Sequence, residues 1–255
     1  MDGQRSDSIP TNLRLLLLLE EVARDGGPVT PTSINETLGL PKPTIHRLFS
    51  TLVDEGFLQR DIGAGRVYMP GPRLRALAGG VLSSQRIRTA RQAVLRRLSA
   101  AVGETCNIAL PDGDGMVYLE RVETEWPLRI QLPIGTKVPF YCTASGKMYL
   151  STLSNRDLDA YLTSTTLTRM APGTYTDRTE LTETIRRIRS DGHSTDRGEF
   201  MPDMIAVAVP ILDASGRLLA TLAFHGPTQR ITLERGLSFL PLLHEAAREL
   251  SDLVA

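Results

Sequence analysis

The chain is poor in the groups that reactive chemistry usually draws on. Its 255 residues contain two cysteines, Cys106 and Cys142. Their spacing fits neither a zinc ligand set nor a C-x-x-C pair, so a disulfide framework is excluded and a reduced, cytoplasmic setting is the simplest expectation. The four histidines, His46, His193, His225 and His244, include no pair at i, i+3 or i+4, so neither a metal nor a cofactor is expected. No excess of either charge is present, with 29 basic against 29 acidic residues overall and nine against nine in residues 1–84. DNA recognition would then have to rest on a few well-placed groups, because sequence-independent affinity comes from local basic clusters.

Long apolar runs are missing too. Leu15 to Leu19 is a five-leucine run bounded by Arg14 and Glu20, far too short to span a bilayer. The opening MDGQRSDS carries acids and no apolar stretch, unlike a signal peptide. A soluble protein is expected, and 255 residues that are 41% hydrophobic can fill the cores of two domains.

What is present begins with residues 38–68, LGLPKPTIHRLFSTLVDEGFLQRDIGAGRVY. Helix signals run over 11–25, with leucines forming either the floor of a small core or a dimer stripe. Asp25-Gly26-Gly27-Pro28 stops it. Thr30-Pro31 then reads as an N-cap followed by proline in the first helical position, and Gly39 as the closing cap. Pro41 and Pro43 open a second helix in which Ile45, Leu48, Phe49 and Leu52 form a buried stripe. Lys42, Thr44, His46, Arg47 and Thr51 are left on a face without acids until Asp54.

After Gly56, segments 57–60 and 66–69 flank the turn 61–65 as a two-stranded wing. The connection between the two helices has the helix-turn-helix length. Arg47 can reach two acceptors on a guanine edge, Thr44 and Thr51 a phosphate or base edge, and Lys42 a phosphate. Arg60 and Arg66 on the wing would reach backbone or minor groove. A small winged helix that binds protein through the same residues stays open as an alternative.

Residues 73–85 form a helical connector weakened at Gly79-Gly80. Arg86, Arg88, Arg91, Arg96 and Arg97 follow without an acid, either as a solvated helix face or near DNA or a partner subunit's acids. From Cys106 the pattern changes to short strands. A hairpin is expected at 107–119, a strand at 128–132, a largely helical, polar block at 155–191, a second hairpin over 207–224, and a closing helix at 233–254. An α+β unit follows, an antiparallel sheet with helices on one side. Thr143 reads as the N-cap of a helix from Ala144 to Leu150, whose free first-turn amides form a carboxylate cradle.

Four blocks, LPKPTIHRLFSTLVDEGFL, GETCNIALPDGDGMVYLERVE, LPIGTKVPFYCTASGKMYL and DGHSTDRGEF with VPILDASGRLLATLAFHGP, resemble in order the IclR family of bacterial transcriptional regulators, named for the isocitrate lyase regulator. The resemblance implies a winged helix-turn-helix domain at 8–71, a linker helix at 72–85 and a GAF-like effector-binding domain at 86–255. It implies a regulator, with repression the expected sign, that acts as a dimer or dimer of dimers on double-stranded operator DNA under control of a small organic acid. It places Ala144 and Ser145 at ligand-binding backbone positions, with Asp196, Ala206, Ala223 and His225 around the acid and Ile130, Val138 and Tyr141 beside it. Glyoxylate- and pyruvate-binding members carry a cysteine and two serines where this chain has Ala206, Ala223 and His225. A larger or less polar acid is therefore expected, with His225 and Asp196 fixing a second polar group. His225 as a satisfied structural histidine stays open.

Other classes fit less well. Ser145-Gly146-Lys147 hints at a phosphate loop, but Tyr141 stands where its first glycine belongs and Met148 replaces the magnesium-holding Ser/Thr. A hydrolase or lyase is left as a remote alternative, and a sensor that acts through a protein partner without DNA as a nearer one.

Overall fold

The computed structural model describes residues 9–25, 27–60, 67–82, 85–127 and 132–253. The chain divides into two compact units, Met1–Ser84 and Gln85–Ala255.

In the first unit α1 (Arg14–Asp25), α2 (Pro31–Leu38) and α3 (Lys42–Asp54) pack around Leu18, Val22, Ile34, Ile45, Leu48, Phe49 and Leu52. Helix α2 is closed at both ends by local chemistry. Thr30 Oγ1 accepts from the Ser33 amide at 3.1 Å and Ser33 Oγ accepts from the Thr30 amide at 3.1 Å. Gly39 takes the left-handed conformation, φ 62°, where a side chain would be strained.

Strands β1 (Leu58–Arg60) and β2 (Tyr68–Pro70) pair antiparallel, and Val29 bridges to Tyr68 beside them. Tyr68 packs edge-on against Phe49 at 4.9 Å between ring centroids, which ties the wing to α3. Helix α4 (Pro72–Leu82) runs through Gly79 and Gly80 without a break. The turn 61–65 and Arg66 lie outside the described residues.

The second unit is built on six described strands in the order β5-β4-β3-β8-β7-β6, every neighbouring pair antiparallel. These are β3 (Thr105–Asp112), β4 (Gly115–Val122), β5 (Lys137–Pro139), β6 (Ser194–Arg197), β7 (Met204–Leu212) and β8 (Leu218–Pro227). The helices are α5 (Gln85–Val102), α6 (Ala144–Thr152), α7 (Asn155–Ser164), α8 (Arg178–Asp191), α9 (Leu233–Leu237) and α10 (Leu240–Asp252). None of the described helices is long and apolar enough to cross a membrane.

Several expectations need correction. Helices cover both faces of the sheet: α5 and α10 pack on Ile205, Val207, Val209, Leu222 and Phe224, while α6, backed by α8, packs on the face of Ala109, Ala206, Ala208 and Ala223, with α7 in the same buried cluster. The largely helical block 155–191 holds as α7 and α8, with residues 165–177 between them not helical. The closing helix is two pieces, and Pro241 sits in the first turn of α10, where its missing N–H costs nothing. The expected strand at 128–132 falls, up to residue 131, outside the described residues.

Three arginines of α5 find acids inside their own unit. Buried Arg91 pairs with Glu120 at 3.2 Å, Arg88 reaches the same carboxylate at 3.6 Å, and Arg97 meets Glu249.

Candidate functional site

In the first unit the polar residues of α3 stand where the buried stripe leaves them. Lys42, His46, Arg47 and Thr51 are exposed, Thr44 is half-buried, and Arg60 is exposed on β1. Among the described residues Lys42, Arg47 and Arg60 enter no ion pair, whereas the nearby Arg73 is held by Glu55 at 2.8 Å. One role is narrowed by the geometry. The Thr51 hydroxyl donates to the Arg47 carbonyl at 3.0 Å, so toward a nucleic acid it is left mainly as an acceptor, which a phosphate does not need.

In the second unit a cavity opens between the N-terminus of α6 and the sheet, on the face covered by α6, α7 and α8. Its volume is small, about 20 Å³, and its lining atoms include Asn107, Ser145, Asp196, Ala206, Ala223 and His225. The register explains why these meet. Thr105, His225, Ala206 and Asp196 stand opposite one another across β3, β8, β7 and β6, and Asn107, Ala223 and Ala208 form the next row. Cross-strand partners share a face, so the two alanines leave room and the polar residues rim it.

Helix α6 is aimed at this space by its cap. Thr143 Oγ1 accepts from the Gly146 amide at 3.0 Å and donates to the Pro139 carbonyl at 2.8 Å. A Cβ on Gly146 would lie 2.3 Å from the backbone of Phe140, so only glycine lets the helix approach so closely. Among the described residues nothing accepts from the amides of Ala144 and Ser145. They are donors at the positive end of the helix.

The electrostatics differ from residue to residue. His225 is buried, and burial together with the Arg121 charge pushes its pKa down to about 3, so the ring is neutral. Asn107 Nδ2 meets His225 Nδ1 at 3.3 Å. Among the described residues His225 Nε2 and Asn107 Oδ1, both buried, have no hydrogen-bond partner. Burial and the neighbouring Glu199 charge push the Asp196 carboxyl up to about 7. Its Oδ1 accepts from the Glu199 amide at 2.7 Å, and Glu199 is ion-paired with Lys147 of α6, both side chains buried.

The structure thus brings Ala144, Ser145, Asp196, Ala206, Ala223 and His225 around one cavity. Val138 and Tyr141 stand elsewhere, beside a separate open recess with Lys137 and Tyr161. The Tyr141 hydroxyl is taken by the Thr168 carbonyl at 2.9 Å. Ile130 lies outside the described residues. Asn107, Tyr118, Leu132, Thr143, Phe200 and Met204 also line the cavity. Asn107 carried a signal: a polar side chain on the opposite face from Cys106 and Ile108 in a strand buried on both sides. Among the described residues no cluster of His, Cys, Asp and Glu could hold a metal ion.

Two family models match the chain: the IclR helix-turn-helix domain over residues 13–61, and the bacterial transcriptional regulator IclR C-terminal domain over residues 79–252. "Probable transcriptional regulator SauR" of Cupriavidus necator is 35% identical, covering 93% of this chain and 94% of the relative. The Thermotoga maritima IclR crystal structure is 28% identical with a TM-score of 0.63, covering 95% of this chain and 97% of the other. A double mutant of the inducer-binding domain of the PobR transcription factor from Acinetobacter, in complex with 3-hydroxybenzoic acid, is 28% identical with a TM-score of 0.60. It covers 65% of this chain and 97% of the other.

Proposed function

Because the chain belongs to the IclR family of bacterial DNA-binding transcriptional regulators, we propose that it represses its target genes from an operator read by α3 and the wing, and that a small organic acid in the cavity under α6 controls that binding. The observation that carries the effector half is the meeting around one cavity of two backbone donors, Ala144 and Ser145, with ends of His225 and Asn107, all without a partner among the described residues. An anion is drawn to such a helix N-terminus, and orphaned buried polar atoms are costly until a ligand satisfies them. The 3-hydroxybenzoic acid in the PobR domain supports a carboxylic acid as the ligand class. Ala206 and Ala223 favour one larger or less polar than glyoxylate or pyruvate.

On the DNA side Arg47 specifies and Lys42 and Arg60 position. Exposed apolar side chains on α1 and α4, Leu16, Leu77 and Val81, support assembly as a dimer or dimer of dimers, working in the cytoplasm on double-stranded DNA. The test is a gel shift on the promoter region beside the gene. Binding should fall with salt and be reversed by the effector. Arg47→Ala should relax sequence preference by about 1–3 kcal/mol, while Lys42→Ala should weaken all sequences alike and reduce the salt slope by about one. Identical behaviour of the two variants would overturn the division of roles. No shift on any promoter fragment would favour a partner protein over DNA.

A further inference from the structure

The cavity as it stands is too small for the ligand proposed for it. A volume of about 20 Å³ has room for roughly one or two water molecules, and a carboxylic acid is larger than that. Room must come from a wall that moves, and most walls are fixed. Asn107, Ala206, Ala223 and His225 stand on paired strands inside the sheet, and α6 lies hard against the Phe140 backbone. Of the residues that line the space, only Leu132 and Phe200 are half-buried among the described residues, the others being buried. The way to solvent runs past these two side chains.

Phe200 is the one whose backbone is visibly held while its ring is not. The amides of Glu199 and Phe200 both donate to the Asp196 carboxyl, the first at 2.7 Å. Thr174 Oγ1 donates to the Glu199 carbonyl at 2.6 Å, and the Glu199 side chain is ion-paired with Lys147. Three residues beyond Phe200, the Asp203 carbonyl accepts from the Thr228 amide at 2.8 Å. Between these pins the Phe200 side chain packs against the buried cluster that contains Ala206 and Ala223. A partly exposed ring turns between rotamers far more readily than a strand or a capped helix shifts. Resting on the effector reading above, we propose that Phe200 is the door and the size filter of the effector cavity: its ring swings outward to admit the acid, and the acid's carbon skeleton occupies the place the ring leaves. An acid as short as pyruvate leaves that place empty, whereas one with a branched or aromatic skeleton fills it.

The test is surface plasmon resonance on the immobilised full chain with pyruvate, isovalerate and benzoate, which reads rates and affinities together. Isovalerate or benzoate should bind more tightly than pyruvate. Phe200→Ala should raise the association rate constant on the order of tenfold, because only molecules with the ring turned out can take up the acid. Phe200→Leu, which keeps an apolar contact with the cluster, should fall between. Met204→Ala enlarges the cavity at a buried wall and should alter affinity with little change in association rate. Association rates unmoved in both Phe200 variants, or raised equally in Met204→Ala, would overturn the door and leave the effector site standing. Pyruvate binding as tightly as the branched and aromatic acids would rule out the size filter. Failure of every acid to bind the wild type and both Phe200 variants at millimolar concentration would remove the effector reading itself, and the door with it.

Discussion

The two faces of the six-stranded sheet are made by alternate residues of the same strands, yet they do different work. On β7 and β8 one face carries Ile205, Val207, Val209, Leu222 and Phe224, sealed under α5 and α10. One residue along, the other face carries Ala206, Ala208, Ala223 and His225, with Asn107 and Asp196 in the neighbouring strands. The first face fills space with branched and aromatic groups. The second holds small side chains, a cavity and unpartnered buried atoms. A period of two lets a single hairpin stabilise the unit on one side and recognise a ligand on the other.

The largest effect should separate adjacent residues. Phe224→Ala empties a fully buried position and is expected to cost about 3–5 kcal/mol, read from urea midpoints. Asn107→Leu with His225→Leu replaces both members of a partly satisfied polar pair by apolar groups, and should change stability by less than about 1 kcal/mol while weakening acid binding. If the double substitution were as damaging as Phe224→Ala, the second face would be a core like the first.

A smaller effect concerns the helix that closes the cavity. Gly146→Ala puts a methyl group 2.3 Å from the Phe140 backbone, which neither element can yield without moving. A loss of about 1–3 kcal/mol is expected, with acid binding lost as the amides of Ala144 and Ser145 shift. A melting temperature several degrees lower beside unchanged binding would show that the approach of α6 matters for packing alone.

What could be read from residues alone followed the range of the interactions. The caps of α2, the stripe of α3 and the cap Thr143 depend on neighbours within four positions, and each is found as expected. The two-sided cover of the sheet was hidden because Val-Ala-Val-Pro-Ile in β7 is apolar on both faces, so alternation between large and small side chains replaces the usual alternation between apolar and polar. Strand β6, Ser-Thr-Asp-Arg, reads as a loop until β7 pairs with it. Pro241 did signal the break before α10. The resemblance carried Val138 and Tyr141 to the ligand, but the chain turns the Tyr141 hydroxyl to Thr168, a contact 27 residues apart that no local pattern reveals.

The smallest effect is on pH and isolates one group of the second face. Asp196 is held protonated up to about 7 by burial and by the Glu199 charge, while an unfolded aspartate ionises near 4. The folded chain therefore binds the extra proton, and the stabilisation belonging to this group is full at low pH and fades as pH rises through about 7. The same proton governs an incoming carboxylate, since an ionised Asp196 would repel it. Acid affinity should fall severalfold between pH 6 and 8 in the wild type and stay nearly level in Asp196→Asn. His225 and Tyr118 titrate far from that window, at about 3 and about 12. The Lys147–Glu199 pair is common to both proteins, so the difference between the two profiles reports Asp196. Parallel profiles would mean that Asp196 is ionised throughout, and that the buried pair at Lys147 stabilises its charge more than burial penalises it.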